Sequence, residues 1–220
     1  MWAQSEEIIE VNPFPFHEFK KPPLPPPDFI TPEQFMLIVN TPGLTLRELT
    51  ALWLLWETGI RADECAQLDQ GEIQFHEDGG TVFIPQHKSK GGYSIRYVPF
   101  GEITATLLKM QIEYVKQYTQ DPCILLNERH KRLDAKKLWD LLRRIGLKTS
   151  PIRGTVRLSP HMLRHSFGIR KLEEGVPELI VSKWLGHANL AMTAHYTNMT
   201  RESSVRLHKR YDKRKILQEA

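Results

Sequence analysis

Strand-like alternation is confined to one short part of this 220-residue chain, while the segments around it have helical patterns. Residues 72–76 alternate between apolar and polar side chains, a DGG turn follows at 78–80, and residues 81–86 (TVFIPQ) are expected to pair back on the first strand. A loop rich in Lys and Gly then leads to a third strand at 93–98 (YSIRYV). These patterns predict a mainly α fold with a small three-stranded antiparallel sheet, an α+β class.

Capping sequences mark where two of the helices begin. Thr31 and Gln34 form one capping box, and Thr45 and Glu48 form a second. The apolar run after Thr45 predicts a buried helix that ends near Gly59. The short apolar piece CILLN fits either a strand or a loop. Further helices are predicted at 101–119, 134–145, 161–174, 177–185 and 189–196.

Prolines separate the start of the chain from the rest. Seven of the fifteen lie between residues 12 and 27, where neither a helix nor a central strand can form. Residues 1–30 are therefore interpreted as a Pro-rich linker or N-terminal extension, residues 31–200 as one folded domain, and residues 201–220 as a basic C-terminal tail. With 40% hydrophobic and 25% charged residues, the composition excludes collagen-like, fibrous and wholly disordered classes.

The sequence carries no signal for a membrane or for secretion. It has no apolar run of about eighteen residues, which a transmembrane helix would need, and its acidic N-terminus lacks an apolar signal core. Cys65 and Cys123 are far apart and have no metal-ligand spacing. We therefore expect a cytoplasmic protein with reduced thiols and no membrane partner.

The net charge of +4 hides a strong polarity along the chain. Residues 1–80 carry 14 acidic and 4 basic side chains, whereas residues 81–172 carry 18 basic and 6 acidic ones. From Arg143 to Lys171 there are eight Lys and Arg and no acid. Such a segment suits a polyanion, because each neutralised phosphate releases condensed counterions. A solvated basic face is the alternative interpretation.

Two segments near the predicted sheet contain candidate anion-binding side chains. Arg61, in the sequence TGIRADE, could point a fork of donors at an anion with Glu64 holding it, or it could simply cap the preceding helix. Lys88 and Lys90 lie in the loop KSKGG, which is either a solvated hairpin tip or a mobile segment whose lysine reaches a substrate. The chain lacks the GxxxxGK[ST] phosphate loop.

Two further segments contain histidines. His161, Arg164 and His165 share one face of a predicted helix, and a face of this kind favours an anion as its partner. Zinc is disfavoured because the glutamate of HExxH is missing and no nearby cysteine or acid completes a ligand set. His187, in LGH, could cap a helix, and Tyr196 could be an ordinary surface aromatic.

Taken together, the four segments resemble the catalytic domain of the tyrosine recombinases, the phage-integrase family, over about residues 31–200. The matching elements are the TGxRxxE context, a hairpin lysine in KGGYSIRYVP, an HxLRH box, and LGH followed nine residues later by tyrosine. The resemblance implies a site-specific recombinase or integrase that cleaves and rejoins DNA through a 3′-phosphotyrosine. It implies no cofactor, metal or ATP. The implied catalytic residues are Arg61, Lys90, His161, Arg164, His187 and Tyr196, supported by Glu64 and His165.

The resemblance also implies partners. These are double-stranded DNA with a specific recombination site, further copies of the chain as a tetramer in the synapse, and optional accessory DNA-bending proteins. The protein would then be associated with the nucleoid, and its tail at 201–220 would pack on a neighbouring protomer. Candidate DNA contacts are Lys88, Arg96, Arg143, Arg144, Lys148, Arg153 and Arg157.

Two departures from the family pattern bear on these assignments. Members of the two-domain type carry an additional N-terminal helical domain, and the start of this chain resembles the linker that follows it, as in a truncated form or a naturally short member. The hairpin is about one residue longer than is common, which leaves Lys88 as a rival to Lys90. The alternative functions are a type IB topoisomerase and a non-catalytic DNA-binding relic.

Overall fold

The computed structural model describes residues 29–87, 93–153 and 158–186, and these contain seven α-helices and one three-stranded sheet. The predicted class, mainly α with a small antiparallel sheet, is confirmed. The predicted helix at 189–196 lies outside the described residues. In chain order the elements are α1 (Pro32–Val39), α2 (Leu46–Thr58), α3 (Ala62–Gln67), β1 (Ile73–His76), β2 (Gly79–His87), β3 (Tyr93–Gly101), α4 (Glu102–Lys116), α5 (Ala135–Arg153), α6 (Pro160–Glu173) and α7 (Glu178–Leu185).

Both predicted capping boxes are present. The side chain of Thr31 accepts from the backbone N–H of Gln34 at 3.3 Å, and the Gln34 side chain accepts in return from the Thr31 N–H at 3.0 Å. Thr45 and Glu48 repeat the arrangement at the start of α2. That helix ends at Gly59, whose φ of 60° is left-handed and therefore suited to glycine. Local sequence thus determines where these helices begin and where α2 ends.

The sheet has the order β1-β2-β3, and both pairings are antiparallel. Its first turn differs from the prediction, because Glu77 and Asp78 form the turn and Gly79 already pairs with His76. The following Gly80 lies so close to Phe100 on β3 that any side chain would collide with the ring. These glycines therefore allow close packing within the sheet, and they do not form the turn.

Three other segments differ from their predictions. Helix α5 continues to Arg153 instead of ending near 145, because its buried side continues through Ile145 to Thr149. Helix α3 was not predicted, since six residues are too few for a helical period to be visible. The piece at 123–127 is a buried loop that touches the rest of the fold through isolated bridges.

Two apolar clusters hold these elements together. The larger cluster joins α1, α2, α4, α5 and the sheet. The smaller one consists of Val98, Phe167, Ile169, Val181 and Leu185, and it attaches α6 and α7 to β3. This second cluster holds the end of α7 beside α6, and its Phe167 and Leu185 lie against Gly59 at the end of α2. None of the helices among the described residues is both long and apolar enough to span a membrane.

Candidate functional site

The first two turns of α6 present three of the predicted polar side chains, His161, Arg164 and His165. Ser159 caps this helix by accepting from the Met162 N–H at 3.2 Å, and Pro160 occupies its first turn. His161 is exposed, whereas Arg164 is only 6% exposed. The rings of His161 and His165 are 6.2 Å apart, measured between their centroids. The helix therefore places an exposed imidazole above a buried guanidinium.

The guanidinium of Arg164 connects the ends of two other helices. Its Nη1 donates to the carbonyl oxygen of Gly59 at 2.8 Å, and its Nη2 donates to the carbonyl oxygen of Leu185. These carbonyls lie at the C-terminal ends of α2 and α7, where the helix dipoles are negative and favour a cation. Arg164 thereby links α6 to the C-terminal ends of α2 and α7.

Arg61 reaches the same point from α3. Its Nη2 donates to the carbonyl oxygen of Gly186 at 3.1 Å, next along the chain from the carbonyl that Arg164 binds. Its backbone N–H donates to Oε2 of Glu64 at 2.7 Å, and its Nη1 donates to Oε1 at 3.0 Å. The expected hold of Glu64 on Arg61 is therefore present. The two guanidinium groups meet at adjacent backbone carbonyls.

A second arginine binds the same carboxylate from the sheet. Both terminal nitrogens of Arg96 donate to Glu64, with Nη1 at 2.8 Å from Oε1 and Nη2 close to Oε2. We call Arg61, Glu64 and Arg96 the buried triad. Burial alone would raise the pKa of the Glu64 carboxyl, but the hydrogen bond and charge of Arg96, followed by those of Arg61, hold that pKa below its usual value.

The structure corrects the assignment of Arg96 to the DNA-binding surface. Its side chain is 6% exposed and is committed to Glu64, so it cannot meet a phosphate on the surface. The alternation along β3 explains this location, since Ile95 and Tyr97 face outward while Arg96 and Val98 face inward. The same alternation was visible in the sequence YSIRYV.

The other predicted DNA contacts that are described lie on two sides of α5. Arg143 is exposed one turn after Trp139, whose ring meets the His161 ring edge-on at 5.9 Å. Lys148 lies nine residues beyond Trp139, on about the opposite side of the helix, and pairs with Glu48 at 3.2 Å. Of these two predicted contacts, Arg143 is therefore the one on the same side of α5 as Trp139 and His161.

Arg144 belongs to an arrangement that resembles the buried triad in composition. Its Nη2 lies 3.1 Å from Oε1 of Glu128, and Nη2 of Arg47 lies 3.2 Å from the same oxygen. We call Arg47, Glu128 and Arg144 the surface triad. It also places one carboxylate between two arginines, but in solvent.

The remaining predicted residues fall outside what the structure describes. These residues are Lys88, Lys90, Arg157, His187 and Tyr196, together with the side chain of Arg153. Gly186, which directly precedes His187, has a left-handed φ of 65° and ends α7. Among the described residues, no group of three or more His, Cys, Asp or Glu side chains could hold a metal ion.

Two neighbours of the site were not predicted from the sequence. One is Trp139, which contacts His161 across two helices and left no signal in the local pattern. The other is Phe167, which packs directly under Gly59 so that an added Cβ there would lie 2.5 Å from its Cδ1. Both contacts join segments that are far apart in the chain.

Comparison with known proteins gives the family of the chain. The phage integrase family model matches residues 29–203. Tyrosine recombinase XerD of Staphylococcus epidermidis is 30% identical over 196 residues, which cover 86% of this chain and 63% of XerD. Tyrosine recombinase XerC of Oceanobacillus iheyensis is 32% identical over 211 residues, which cover 91% of this chain and 66% of XerC. The chain belongs to the phage integrase family, the tyrosine recombinases.

Solved structures show the same fold. The crystal structure of XerA recombinase matches with a TM-score of 0.70 at 20% identity, over 84% of this chain and 65% of that one. The Tn1549 transposon integrase, in complex with transposon right end DNA, matches with a TM-score of 0.70 at 18% identity, over 96% of this chain and 74% of that one. This chain spans about two thirds of the length of the curated relatives described above.

Proposed function

We propose that this chain cleaves and rejoins double-stranded DNA at a specific site, with Tyr196 as the nucleophile. The observation that carries the proposal is the meeting of Arg61 and Arg164 at the carbonyls of Leu185 and Gly186. The next residue along the chain is His187, and Tyr196 follows nine residues later. Two guanidinium forks at one point suit a phosphate with two non-bridging oxygens.

In the proposed cleavage, the hydroxyl oxygen of Tyr196 attacks the scissile phosphorus while the bond from phosphorus to the 5′ oxygen breaks. The product is a 3′-phosphotyrosine and a free 5′-hydroxyl. His161 accepts the tyrosine proton, and Lys90 supplies a proton to the leaving oxygen, with Lys88 as its rival. Arg61, Arg164 and His187 stabilise the charge that gathers on the non-bridging oxygens. Guanidinium groups supply this positive charge, so the reaction needs no metal.

Rejoining is the reverse reaction with a different alcohol. A 5′-hydroxyl from a partner duplex attacks the phosphotyrosine, so the bond energy is conserved and no ATP is required. Two duplexes require four protomers in a synapse, and we assign residues 201–220 to the contact with a neighbouring protomer. Residues 1–30 serve as the linker into a catalytic domain at 31–200. Accessory DNA-bending proteins could assist assembly, and a substrate of this kind places the protein in the cytoplasm with the nucleoid.

Related structures support duplex DNA as the partner. XerH recombinase has been solved bound to its difH substrate, in pre-cleavage and post-cleavage complexes, and a lambda integrase dimer has been solved on a core site. In this chain the exposed Arg143 on α5, beside Trp139 and His161, is the described basic residue best placed to contact a duplex near the site.

Covalent capture tests the proposal without knowledge of the target sequence. A pool of nicked duplexes with randomised sequence is incubated with the full chain, and DNA that stays attached after denaturation is recovered and sequenced. We expect recovery to converge on one site. Tyr196→Phe should retain DNA binding and give no attached DNA, because only the attacking hydroxyl is lost.

Three outcomes would contradict the proposal or change it. No attached DNA from the unaltered chain would favour the non-catalytic relic. An adduct that survives in Tyr196→Phe would place the nucleophile elsewhere, with Tyr211 as the next tyrosine along the chain. Relaxation of a supercoiled plasmid that lacks the recovered site would indicate a topoisomerase.

A further inference from the structure

We propose that Arg96 is a positioning residue for the proposed reaction. The Arg96 guanidinium binds the Glu64 carboxylate from the protein interior, so that the positive charge of Arg61 remains available to the scissile phosphate. This inference rests on the proposed function and concerns the same site.

The hydrogen bonds of Glu64 show how the carboxylate is shared. Its two oxygens accept the backbone N–H and Nη1 of Arg61, and they also accept both terminal nitrogens of Arg96. Four donors meet one carboxylate, which is about the number of lone pairs it offers. The bidentate geometry with Arg96 is the stronger kind of arginine–carboxylate contact.

The charges of the buried triad do not cancel. Two guanidinium groups and one carboxylate leave a net charge of +1, and Arg96 is buried while the Arg61 side chain is 38% exposed. The excess charge is therefore presented through Arg61, beside the Gly186 carbonyl that it binds. Without Arg96, Glu64 would neutralise Arg61 alone, and the net charge at this place would fall to zero.

Stability alone does not account for a buried arginine at this position. The next inward-facing residues on β3 are Val98 and Phe100, which are both apolar, so an apolar side chain at position 96 would match this face of the strand. Replacing a buried ion pair with apolar groups is often neutral or stabilising. Arg96 also has a cost, because its Nε has no hydrogen-bond partner among the described residues. A role in setting the net charge beside Arg61 accounts for an arginine at this position.

The test compares variants of the buried triad with matched variants of the surface triad, all in the full chain. The first set is Arg96→Met, Arg96→Lys and Arg96→Met with Glu64→Gln, and the control set is Arg47→Met alone and with Glu128→Gln. The probe is the nicked duplex recovered by covalent capture. Single-turnover cleavage at saturating DNA and the dissociation constant for that DNA are measured separately, and thermal unfolding confirms that each variant is folded.

We expect Arg96→Met to slow cleavage at saturating DNA by about 10- to 100-fold, with a much smaller change in the dissociation constant. Adding Glu64→Gln should restore most of the rate, because glutamine can still accept the Arg61 N–H and the net charge returns to +1. Arg96→Lys should stay within about fivefold of the unaltered chain, since it keeps the charge. Arg47→Met should leave the rate unchanged, with or without Glu128→Gln.

The outcomes separate this inference from the proposed function. If the unaltered chain gives no covalent product, the proposed function fails and the role of Arg96 fails with it. If the unaltered chain cleaves but Arg96→Met is as fast, only the role of Arg96 is overturned. Equal slowing of folded Arg96→Met and its double variant would also overturn it, because a packing role predicts no rescue. Should Arg96→Met not fold, slow cleavage by folded Arg96→Lys with unchanged DNA binding would overturn the charge argument.

Discussion

The buried triad and the surface triad contain the same groups in different surroundings. Each places one glutamate between two arginines, so each has a net charge of +1. The Glu64 side chain is 14% exposed, whereas that of Glu128 is 60% exposed. The Glu128 carboxylate is stabilised by its own backbone N–H and by Arg144, which lower its pKa to about 2. The pKa of Glu64 is also lowered, although burial by itself would raise it.

The difference shows that burial decides what a cluster of charges can do. Around Glu128, water and salt screen each pair, and such contacts contribute little to stability. Around Glu64, solvent is largely excluded and every donor has a fixed direction. In the proposed reaction, the positive excess would act on the phosphate without first being reorganised.

Arg164→Lys should slow cleavage of the recovered duplex by about 10²- to 10³-fold in single-turnover measurements. A lysine keeps the charge, but it lacks the planar fork that reaches the Gly59 and Leu185 carbonyls together. The matched control is Arg47→Lys, because Arg47 also uses a fork, on the Leu126 carbonyl and Glu128. The control should cleave at the unaltered rate, and equal slowing in both variants would contradict a special role for the buried fork.

Glu64→Gln should lower the free energy of unfolding by about 3 kcal/mol at pH 7, because it leaves the guanidinium of Arg96 buried without its counter-ion. Glu128→Gln should lower it by less than about 1 kcal/mol, since its pairs are exposed. Urea unfolding monitored by tryptophan fluorescence measures both. Similar losses in the two variants would show that burial does not distinguish the triads.

Gly59→Ala should destabilise the fold by about 2 to 3 kcal/mol, through a left-handed backbone and the crowding of Phe167. Gly43→Ala is the control, because its φ of 81° carries the same backbone cost while nothing lies within 4 Å of the added Cβ. It should lose about 1 kcal/mol. Urea unfolding of the two variants separates these contributions, and equal losses would mean that Phe167 simply moves aside.

The small effect of Glu128→Gln should itself depend on pH. The pKa of Glu128 in the folded protein is about 2, below the ordinary glutamate pKa of 4.5, so its contribution is fully present above pH 4.5 and is lost as the pH falls toward 2. The difference between Glu128→Gln and the unaltered chain should therefore shrink over that interval. Unfolding measured at several pH values checks this, and a difference that persists at pH 2 would contradict the assigned cause.

Local signals in the sequence predicted a large part of the fold. Thr31 and Thr45 begin their helices, and Gly59 ends α2, because each satisfies backbone groups within a few residues. Predictions failed where distant contacts decide the outcome. Gly79 and Gly80 belong to strand β2 rather than to the turn, with Phe100 packed over Gly80, and α5 continues beyond 145 because Thr149 remains buried.

The residues of the candidate site also divide into those that the sequence predicted and those whose position depends on the rest of the fold. The motifs named Arg61, Glu64, His161 and Arg164 from the sequence, since their spacing along the chain carries the family pattern. Arg96 was assigned to the surface because its charge was weighed more heavily than its place in the alternation of β3. A residue type alone does not reveal which face of a strand is buried.

The amino-acid sequence alone was enough to predict where α1 and α2 begin, to select the candidate anion-binding residues, and to indicate the family of the chain. These properties depend on residue type and on spacings of a few positions. The meeting of Arg61 and Arg164 at the end of α7, and the binding of Glu64 by Arg96 from the interior, depend on the three-dimensional fold. Packing between segments up to 125 residues apart in the chain brings these groups together, and it buries Arg96 and Arg164, so that water screens their charges less.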